Sequence, residues 1–243
     1  MKSTVRILGI IPARGGSKRI PRKNIARLVG QPMIAYTIRA AAASKTLDAC
    51  IVSTDDPAIA RAARSLGADA PFLRPKKYAR DASRDIGYAR HALQWLERHR
   101  GWRPEIVALL PPDCPLRTGA DIDRAVRLLI KGDYDSVRTI VRPAPRVPYK
   151  AMWRLRDRRK NLIVPLFPQY VGKASQDVPD YYVSVGMAYV TRAKYILRGT
   201  LWGPRVGGLL MDDARRCIEI DEPEQLRQAE EILLAAKKNK KRA

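Results

Sequence analysis

Apolar and polar positions follow two alternating periods along the first half of the chain. Short apolar runs at residues 5–11 and 50–54 have the length of buried strands. Residues 33–44 and 56–66 repeat apolar side chains at the spacing of an amphipathic helix. This order predicts a β–α–β unit in which the two strands are parallel.

The same alternation continues to about residue 141. It predicts helices at 85–100 and 121–131 and strands at 106–110 and 136–141. Because crossover helices cover both faces of a parallel sheet, we predict an α/β protein with three layers. The expected core is a mostly parallel, twisted, Rossmann-like sheet with helices on both faces.

The pattern breaks at residues 142–182, where prolines and charges interrupt any period. We expect this stretch to form an arm or a dimerisation insertion within one domain spanning residues 1–243. Strands are predicted at 183–190 and at about 217–220, and a last helix begins at residue 223. Its lysine-rich end, 237–243, is expected to be a basic tail.

The charge of the chain is strongly positive, with 47 Lys and Arg against 24 Asp and Glu and a net charge of +23. Such a surface attracts polyanions, so RNA binding stays open as an alternative. No zinc finger or RRM aromatic signature supports a nucleic-acid partner. No apolar run approaches the roughly 18 residues of a membrane span, and three scattered cysteines suit a reducing cytosol. We therefore expect a cytoplasmic protein without a membrane partner.

A basic, glycine-containing loop follows the first predicted strand, at the sheet edge where open α/β folds bind ligands. Gly15 and Gly16 let backbone N–H groups approach an anion closely. Arg14, Lys18 and Lys23 can neutralise a triphosphate as its charge moves to leaving pyrophosphate. The loop is neither a Walker motif nor a complete GxGxxG fingerprint, but it predicts a phosphate site.

Two carboxylates, Glu219 and Asp221, stand one residue apart at the end of the predicted strand near residue 220. Strand alternation places both side chains on the same face, and paired carboxylates suit Mg²⁺ together with substrate phosphates. Alternatively, Asp221 caps the helix before Pro223 and Glu219 is a surface residue. Asp212 and Asp213 form a rival acidic pair.

The basic loop resembles the N-terminal motif of the acylneuraminate (CMP-sialic acid) cytidylyltransferase family, which activates nonulosonic acids with CTP. Further matching segments follow in order at residues 52–56, 73–75, 115–118 and 218–221. The resemblance implies CTP-dependent transfer of CMP to the anomeric hydroxyl of an acidic 2-keto-3-deoxy sugar, with release of pyrophosphate. It also implies a nucleotidyltransferase fold, Mg²⁺ as cofactor and a homodimer.

The same resemblance assigns roles to residues of this chain. Arg14, Lys18, Lys23 and Asp221 are the implied catalytic residues, and Glu219 and Asp221 the implied metal ligands, with Glu219 in place of the family's Asp. The expected nucleotide-binding residues are Ala13, Arg14, Gly15, Gly16, Ser17, Lys18, Lys23, Asn24 and Arg74.

The acceptor half departs from the family pattern. A ligand-contacting Gln is replaced by Pro111, and the sialate-contacting Arg and Asn are replaced by Ser175 and Val185. A different 2-keto-3-deoxy acid is therefore a candidate acceptor. The polar candidates for substrate binding are Arg117, Gln176, Asp177 and Tyr182. A CMP-Kdo-type synthetase, another sugar nucleotidyltransferase, and a non-catalytic nucleotide- or RNA-binding relative remain alternatives.

Overall fold

The computed structural model describes residues 5–80, 85–142, 152–157 and 162–240. The strands are β1 Ile7–Pro12, β2 Arg27–Leu28, β3 Gln31–Pro32, β4 Ala49–Ser53, β5 Ile106–Leu109, β6 Ser136–Val141, β7 Trp153–Asp157, β8 Leu162–Pro165, β9 Val183–Arg192 and β10 Val206–Leu210. The helices are α1 Met33–Ala42, α2 Pro57–Ser65, α3 Asp85–Arg100, α4 Gly119–Lys131, α5 Ala193–Arg198 and α6 Pro223–Lys240.

Within these residues, a six-stranded sheet has the order β10-β6-β9-β5-β1-β4. β9 is antiparallel to both β5 and β6, whereas the other neighbouring strands are parallel. Alternate residues of β1 enter different cores: Leu8 and Ile10 pack on one face, and Ile7 and Ile11 on the other. Because both faces are covered, the predicted three-layer, mostly parallel architecture is confirmed.

Local sequence signals explain where the helices next to the site begin. The Asp56 carboxylate accepts hydrogen bonds from the backbone N–H of Ala58 at 2.7 Å and Ile59 at 3.4 Å, so it is the N-cap of α2. At α4, Thr118 and Asp121 form a reciprocal capping box. This box starts α4 two residues earlier than the apolar period predicts.

The strand predicted at residues 217–220 is not formed. These residues have no regular secondary structure, and one edge of the sheet is instead β10, which was not predicted. β10 contains Gly207 and Gly208, which weaken any apolar alternation. A Cβ at Gly207 would lie 2.7 Å from the Tyr134 ring, and one at Gly208 would lie 2.8 Å from Ile140. Close packing of the neighbours therefore explains these glycines.

The arm predicted at 142–182 contains the antiparallel hairpin of β7 and β8. Residues 143–151 and 158–161 of this stretch lie outside the described residues. At the C-terminus, α6 includes residues 237–240 of the predicted tail, and 241–243 are not described. None of the described helices combines the length and apolar content needed to cross a bilayer.

Candidate active site

A cavity of about 620 Å³ opens at the carboxyl end of β1. Ligand-binding crevices of open α/β sheets lie at this edge, and the volume is within the range of small-molecule sites. The predicted basic loop lines it with the side chains of Arg14, Ser17, Lys18, Lys23 and Asn24. The structure therefore brings most of the predicted nucleotide-binding side chains to one cavity.

Gly15 attaches the loop to the segment that follows β4. Its backbone N–H donates to Asp55 Oδ1 at 3.1 Å. A Cβ at Gly15 would lie 2.8 Å from Asp56 Oδ2, whereas a Cβ at Gly16 would meet nothing within 4 Å. A side chain at Gly15 would therefore displace Asp56, whereas one at Gly16 would meet no packed neighbour.

Ala13 and Asn24 support the loop from its two ends. The Ala13 N–H donates to Ser53 O at 3.0 Å, which extends the pairing of β1 with β4. The buried Asn24 side chain donates from Nδ2 to Arg14 O at 2.9 Å. These bonds hold the backbone in one conformation, so the basic side chains are preorganised for an anion.

Lys23 lies among acidic groups at one end of the cavity. Its Nζ donates to Ile220 O at 2.8 Å, to Asp221 Oδ1 at 3.1 Å and to Asp113 Oδ2 at 3.4 Å. The Lys23 side chain is only 15% exposed, so these contacts position it firmly. Lys23 thus joins the basic loop to the carboxylates predicted from the C-terminal segment.

Asp113 was not predicted as a site residue, although it lines the cavity. The sequence did contain a signal for it, because Asp113 follows the end of β5 by four residues. Residues just after parallel strands often lie at ligand sites. The Ile220 N–H donates to Asp113 O at 2.9 Å, which places the irregular 217–220 segment beside the cavity.

Glu219 and Asp221 both line the cavity, as predicted, although they are not on a strand. The Gly186 N–H donates to Glu219 Oε1. Removal from solvent raises the pKa of Glu219, the Gly186 hydrogen bond opposes that rise, and the negative charges of Asp113 and Asp221 add to it. The carboxylates thus concentrate negative charge where a cation is favoured.

These carboxylates are suited to Mg²⁺ only in one mode of binding. Across the described ranges, no three His, Cys, Asp or Glu side chains are close enough to hold a metal without other ligands. Mg²⁺ commonly uses one or two carboxylates and takes its other ligands from water and substrate phosphates. The presence of Glu219 and Asp221 in one cavity with the basic loop is compatible with that mode.

Arg74 also lines the cavity and is buried, with 5% of its surface exposed. Its backbone N–H donates to Thr54 O at 2.7 Å, and its guanidinium lies 3.7 Å from Asp55 Oδ1 and 5.4 Å from the Tyr88 ring centroid. Burial lowers the pKa of Arg74, while Asp55 opposes the shift. Arg74 therefore reaches the cavity at the place where a nucleotide is expected.

Several other lining residues were not predicted from the sequence. They are Arg19, Tyr78, Arg80, Asp85, Tyr88 and Tyr189. Asp85 and Tyr88 stand in the first turn of α3 and Tyr189 lies within β9, so their local pattern resembles that of ordinary helix and strand positions. Only the packing of α3 and β9 beside the loop reveals them.

Arg117 does not line the cavity, contrary to the expectation that it binds substrate. Its buried guanidinium donates to Thr37 Oγ1 at 3.0 Å, to the carbonyls of Pro111 and Gly186 at 2.7 Å each, and to Met187 O. Through these hydrogen bonds Arg117 links three parts of the fold, which are α1, β9 and the loop that follows β5. The Arg117 side chain therefore stabilises the fold in this chain.

The other acceptor candidates are also outside this cavity. Gln176, Asp177 and Tyr182 are exposed on the described part of the arm. Val185 packs in an apolar cluster with Cys114 and Met187, so it offers no polar contact. Pro111 does line the cavity, but its carbonyl already accepts from Arg117.

A doubly covered α/β sheet with a basic loop and carboxylates in one cavity at the carboxyl end of its first strand is typical of nucleotide-binding enzymes. A cytidylyltransferase family model matches residues 8–148. The chain belongs to the cytidylyltransferase family, in its nonulosonic acid branch, and is a nucleotidyltransferase. The predicted family and enzyme class are thereby confirmed.

Individual relatives support this assignment. CMP-N,N'-diacetyllegionaminic acid synthase of Legionella pneumophila is 33% identical over 222 residues, which cover 90% of this chain and 92% of that protein. Pseudaminic acid cytidylyltransferase of Campylobacter jejuni is 46% identical over 90 residues, covering 37% of this chain and 39% of that protein. A CMP:2-keto-3-deoxy-manno-octonic acid synthetase solved with CTP has a TM-score of 0.68 at 17% identity, covering 95% of this chain and 99% of that one. This last likeness shows the shared fold.

Proposed function

We propose that the protein transfers CMP from CTP to the anomeric hydroxyl of an acidic 2-keto-3-deoxy sugar of the nonulosonic class, releasing pyrophosphate. The observation that carries the proposal is one cavity lined by Arg14 and Lys18 and by the carboxylate residues Asp113, Glu219 and Asp221. Relatives named for CMP-legionaminic acid and pseudaminic acid indicate the nucleotide and the class of sugar.

The charges of the cavity suggest how the transfer proceeds. Arg14 and Lys18 bind the β- and γ-phosphates and stabilise the negative charge that develops on pyrophosphate. The anomeric oxygen attacks the α-phosphorus, the bond to the bridging oxygen breaks, and the hydroxyl proton is released to water. Lys23, held between Asp113 and Asp221, orients the basic loop against the carboxylates. Positioning and electrostatic stabilisation supply most of the rate in such transfers.

We also propose that Mg²⁺ is required, with Glu219 and Asp221 as its protein ligands and Asp113 beside them. When bound, the metal neutralises phosphate charge. Lys23 donates to Asp113 and Asp221, and its positive charge opposes the upward pKa shift of Glu219. Turnover is expected to stop on chelation and to return when Mg²⁺ is added.

The acceptor pocket is proposed to be completed by a second copy of the chain in a cytoplasmic homodimer. Gln176, Asp177 and Tyr182 are exposed on the arm and away from the cavity of their own subunit. An arm that reaches a partner would bring these polar groups to the partner's site. This arrangement would restore polar contacts that Pro111 and Val185 do not provide.

The decisive experiment is a substrate panel. The purified protein is incubated with Mg²⁺, with CTP or UTP, and with legionaminic, pseudaminic, sialic or 2-keto-3-deoxy-octonic acid, and pyrophosphate is measured. We expect release with CTP and a nonulosonic acid. Selective use of the eight-carbon acid would support the CMP-Kdo alternative. Salt-dependent RNA binding without pyrophosphate from any pair would refute the enzymatic proposal.

A further inference from the structure

A second, smaller cavity lies beside the C-terminal segment that carries Glu219. Its volume is about 300 Å³, and Glu219 lines both this cavity and the main one. The lining residues come from the start of β9, from the segment before Asp221 and from α6, and they are Val183, Ser184, Val185, Cys217, Ile218, Glu219, Gln225 and Gln228. Of these described residues Glu219 alone is charged, so the second cavity offers no cationic partner to a phosphate or a carboxylate.

Four of the residues that line the second cavity are apolar, namely Val183, Val185, Cys217 and Ile218. Val185 and Cys217 belong to an apolar cluster that also contains Met187 and Met211. Transfer of an alkyl group from water to such a surface is favourable. The second cavity is therefore suited to a ligand group that ends in a small alkyl part.

The polar part of the second cavity comes from α6. Gln225 and Gln228 stand three positions apart, so their side chains lie on one face of the helix. The Gln225 Oε1 accepts from the N–H of Asp221 at 2.7 Å and of Glu222 at 2.8 Å, and its Nε2 donates to no group in the described ranges. The Gln228 Nε2 donates to Glu224 Oε1 at 3.4 Å, which leaves its Oε1 as an acceptor. The pair thus presents one donor and one acceptor.

A secondary amide with a short alkyl end has the same three properties as this lining. Its carbonyl accepts one hydrogen bond, its N–H donates one, and its alkyl end is apolar. A hydroxyl group would leave the apolar surface uncovered, and a carboxylate would be repelled by Glu219. Because Glu219 lines both cavities, a sugar with its anomeric hydroxyl in the main cavity can extend its far end into the second one.

We propose that the second cavity binds an acylamino group of the acceptor sugar. Gln225 Nε2 donates to the acyl carbonyl oxygen, Gln228 Oε1 accepts from the amide N–H, and the alkyl end lies on the apolar residues. The proposal rests on the proposed function, since it concerns the acceptor of that reaction. It assigns to α6 a polar contact that Val185 does not provide, and it makes the protein selective for N-acylated acids.

The test compares kcat/KM for two acceptors. One is the N-acylated acid that the wild-type protein uses best, and the other is its analogue with a hydroxyl in place of the acylamino group. Wild type should prefer the acylated acid about tenfold or more, because the hydroxyl leaves polar groups of the site unpaired. Gln228→Met keeps the side-chain length and removes the acceptor, so it should lower this preference about three- to tenfold and leave the KM for CTP unchanged. Gln225→Glu keeps an oxygen to cap α6, removes the donor and should lower the preference similarly.

The matched control is Gln94→Met, at an exposed glutamine of α3 that lines neither cavity. It should keep the wild-type preference. An unchanged preference in both α6 variants overturns the proposal, and so does a wild-type protein that uses the two acceptors equally. Loss of the preference only in a Gln176→Ala, Asp177→Ala protein would assign the acylamino group to the arm and overturn it too. The proposed function fails separately, if the wild-type protein releases no pyrophosphate from any pair of nucleotide and sugar.

Discussion

Adjacent glycines in the basic loop differ in what surrounds them. A side chain at Gly15 would collide with Asp56, whereas Gly16 faces open space. We expect Gly15→Ala to lower the free energy of unfolding by about 1–3 kcal/mol, since an added methyl forces its packed neighbours apart. Gly16→Ala should change it by less than about 0.5 kcal/mol. Denaturant unfolding of both variants would measure this difference.

Activity measurements extend the comparison at Gly15. A shift of the backbone at Gly15 would also move the Gly15 N–H, which donates to Asp55, and Asp55 lies beside Arg74. We therefore expect CMP binding to weaken in Gly15→Ala. Equal unfolding free energies for Gly15→Ala and Gly16→Ala would contradict the packing argument.

At the level of elements, Asp123 of α4 is hydrogen-bonded to the turn that follows α1. Its carboxylate accepts from Ser44 Oγ at 2.6 Å, Thr46 Oγ1 at 2.8 Å and the Lys45 N–H at 3.0 Å. Burial acts to raise the pKa of Asp123, but these hydrogen bonds outweigh it and lower the pKa below its ordinary value. The ionised carboxylate is therefore favoured by folding.

This shift sets the pH dependence of α4 docking. A pKa that is lower in the folded state stabilises the protein above the unfolded value of about 3.9, and the stabilisation is lost as the pH falls through the folded value. We expect Asp123→Asn to cost about 2 kcal/mol at pH 7, and the difference from wild type to shrink below about pH 4. Urea unfolding at several pH values would test this.

The control for this experiment is Asp212→Asn, at an exposed carboxylate paired with Arg124. An exposed pair contributes at most about 1 kcal/mol, so the control should change stability little at any pH. A constant gap between wild type and Asp123→Asn across the acid range would show that the ionised carboxylate is not the source of the stabilisation.

At the scale of the whole molecule, the proposed dimer predicts that two different inactive variants of the protein regain activity when they are mixed. Lys18→Ala removes a phosphate contact in the cavity, whereas Gln176→Ala with Asp177→Ala removes polar groups of the arm. If the arm completes a partner's site, a mixed dimer contains one intact site. We expect pyrophosphate release to rise when the two proteins are mixed under conditions that allow subunit exchange.

Light scattering of each variant is needed beside this assay, because exchange requires both to be dimeric. Homodimers of wild type and of both variants are expected. Dimeric variants that exchange subunits without any gain in activity would mean that the arm acts within its own subunit or has no role in the site.

Local sequence signals were sufficient for several parts of the protein. Alternation of apolar periods predicted α3 and β6 with the observed bounds. The basic loop was placed correctly because its position after β1 follows from the order of elements. Helix capping at Asp56 depends only on residues two and three positions ahead. Each of these features is determined by interactions between neighbours in the chain.

Contacts between distant residues decided the rest. The segment 217–220 has a strand-like sequence, yet the Ile220 N–H donates to the Asp113 carbonyl beside the cavity, while the glycine-containing β10 occupies one edge of the sheet. From the sequence, Arg117 was a substrate-binding candidate. In the structure, its guanidinium donates to four carbonyl and hydroxyl oxygens of the protein. Asp85 looks like a helix-start residue until α3 packs beside the loop. The sequence by itself thus determined most of the helices and strands and the place of the basic loop, since those depend on local periodicity and turn chemistry. Only the tertiary structure decided which polar side chains are hydrogen-bonded within the fold and which line the cavity. The reason is that hydrogen-bond partners and burial are set by residues far apart in the chain.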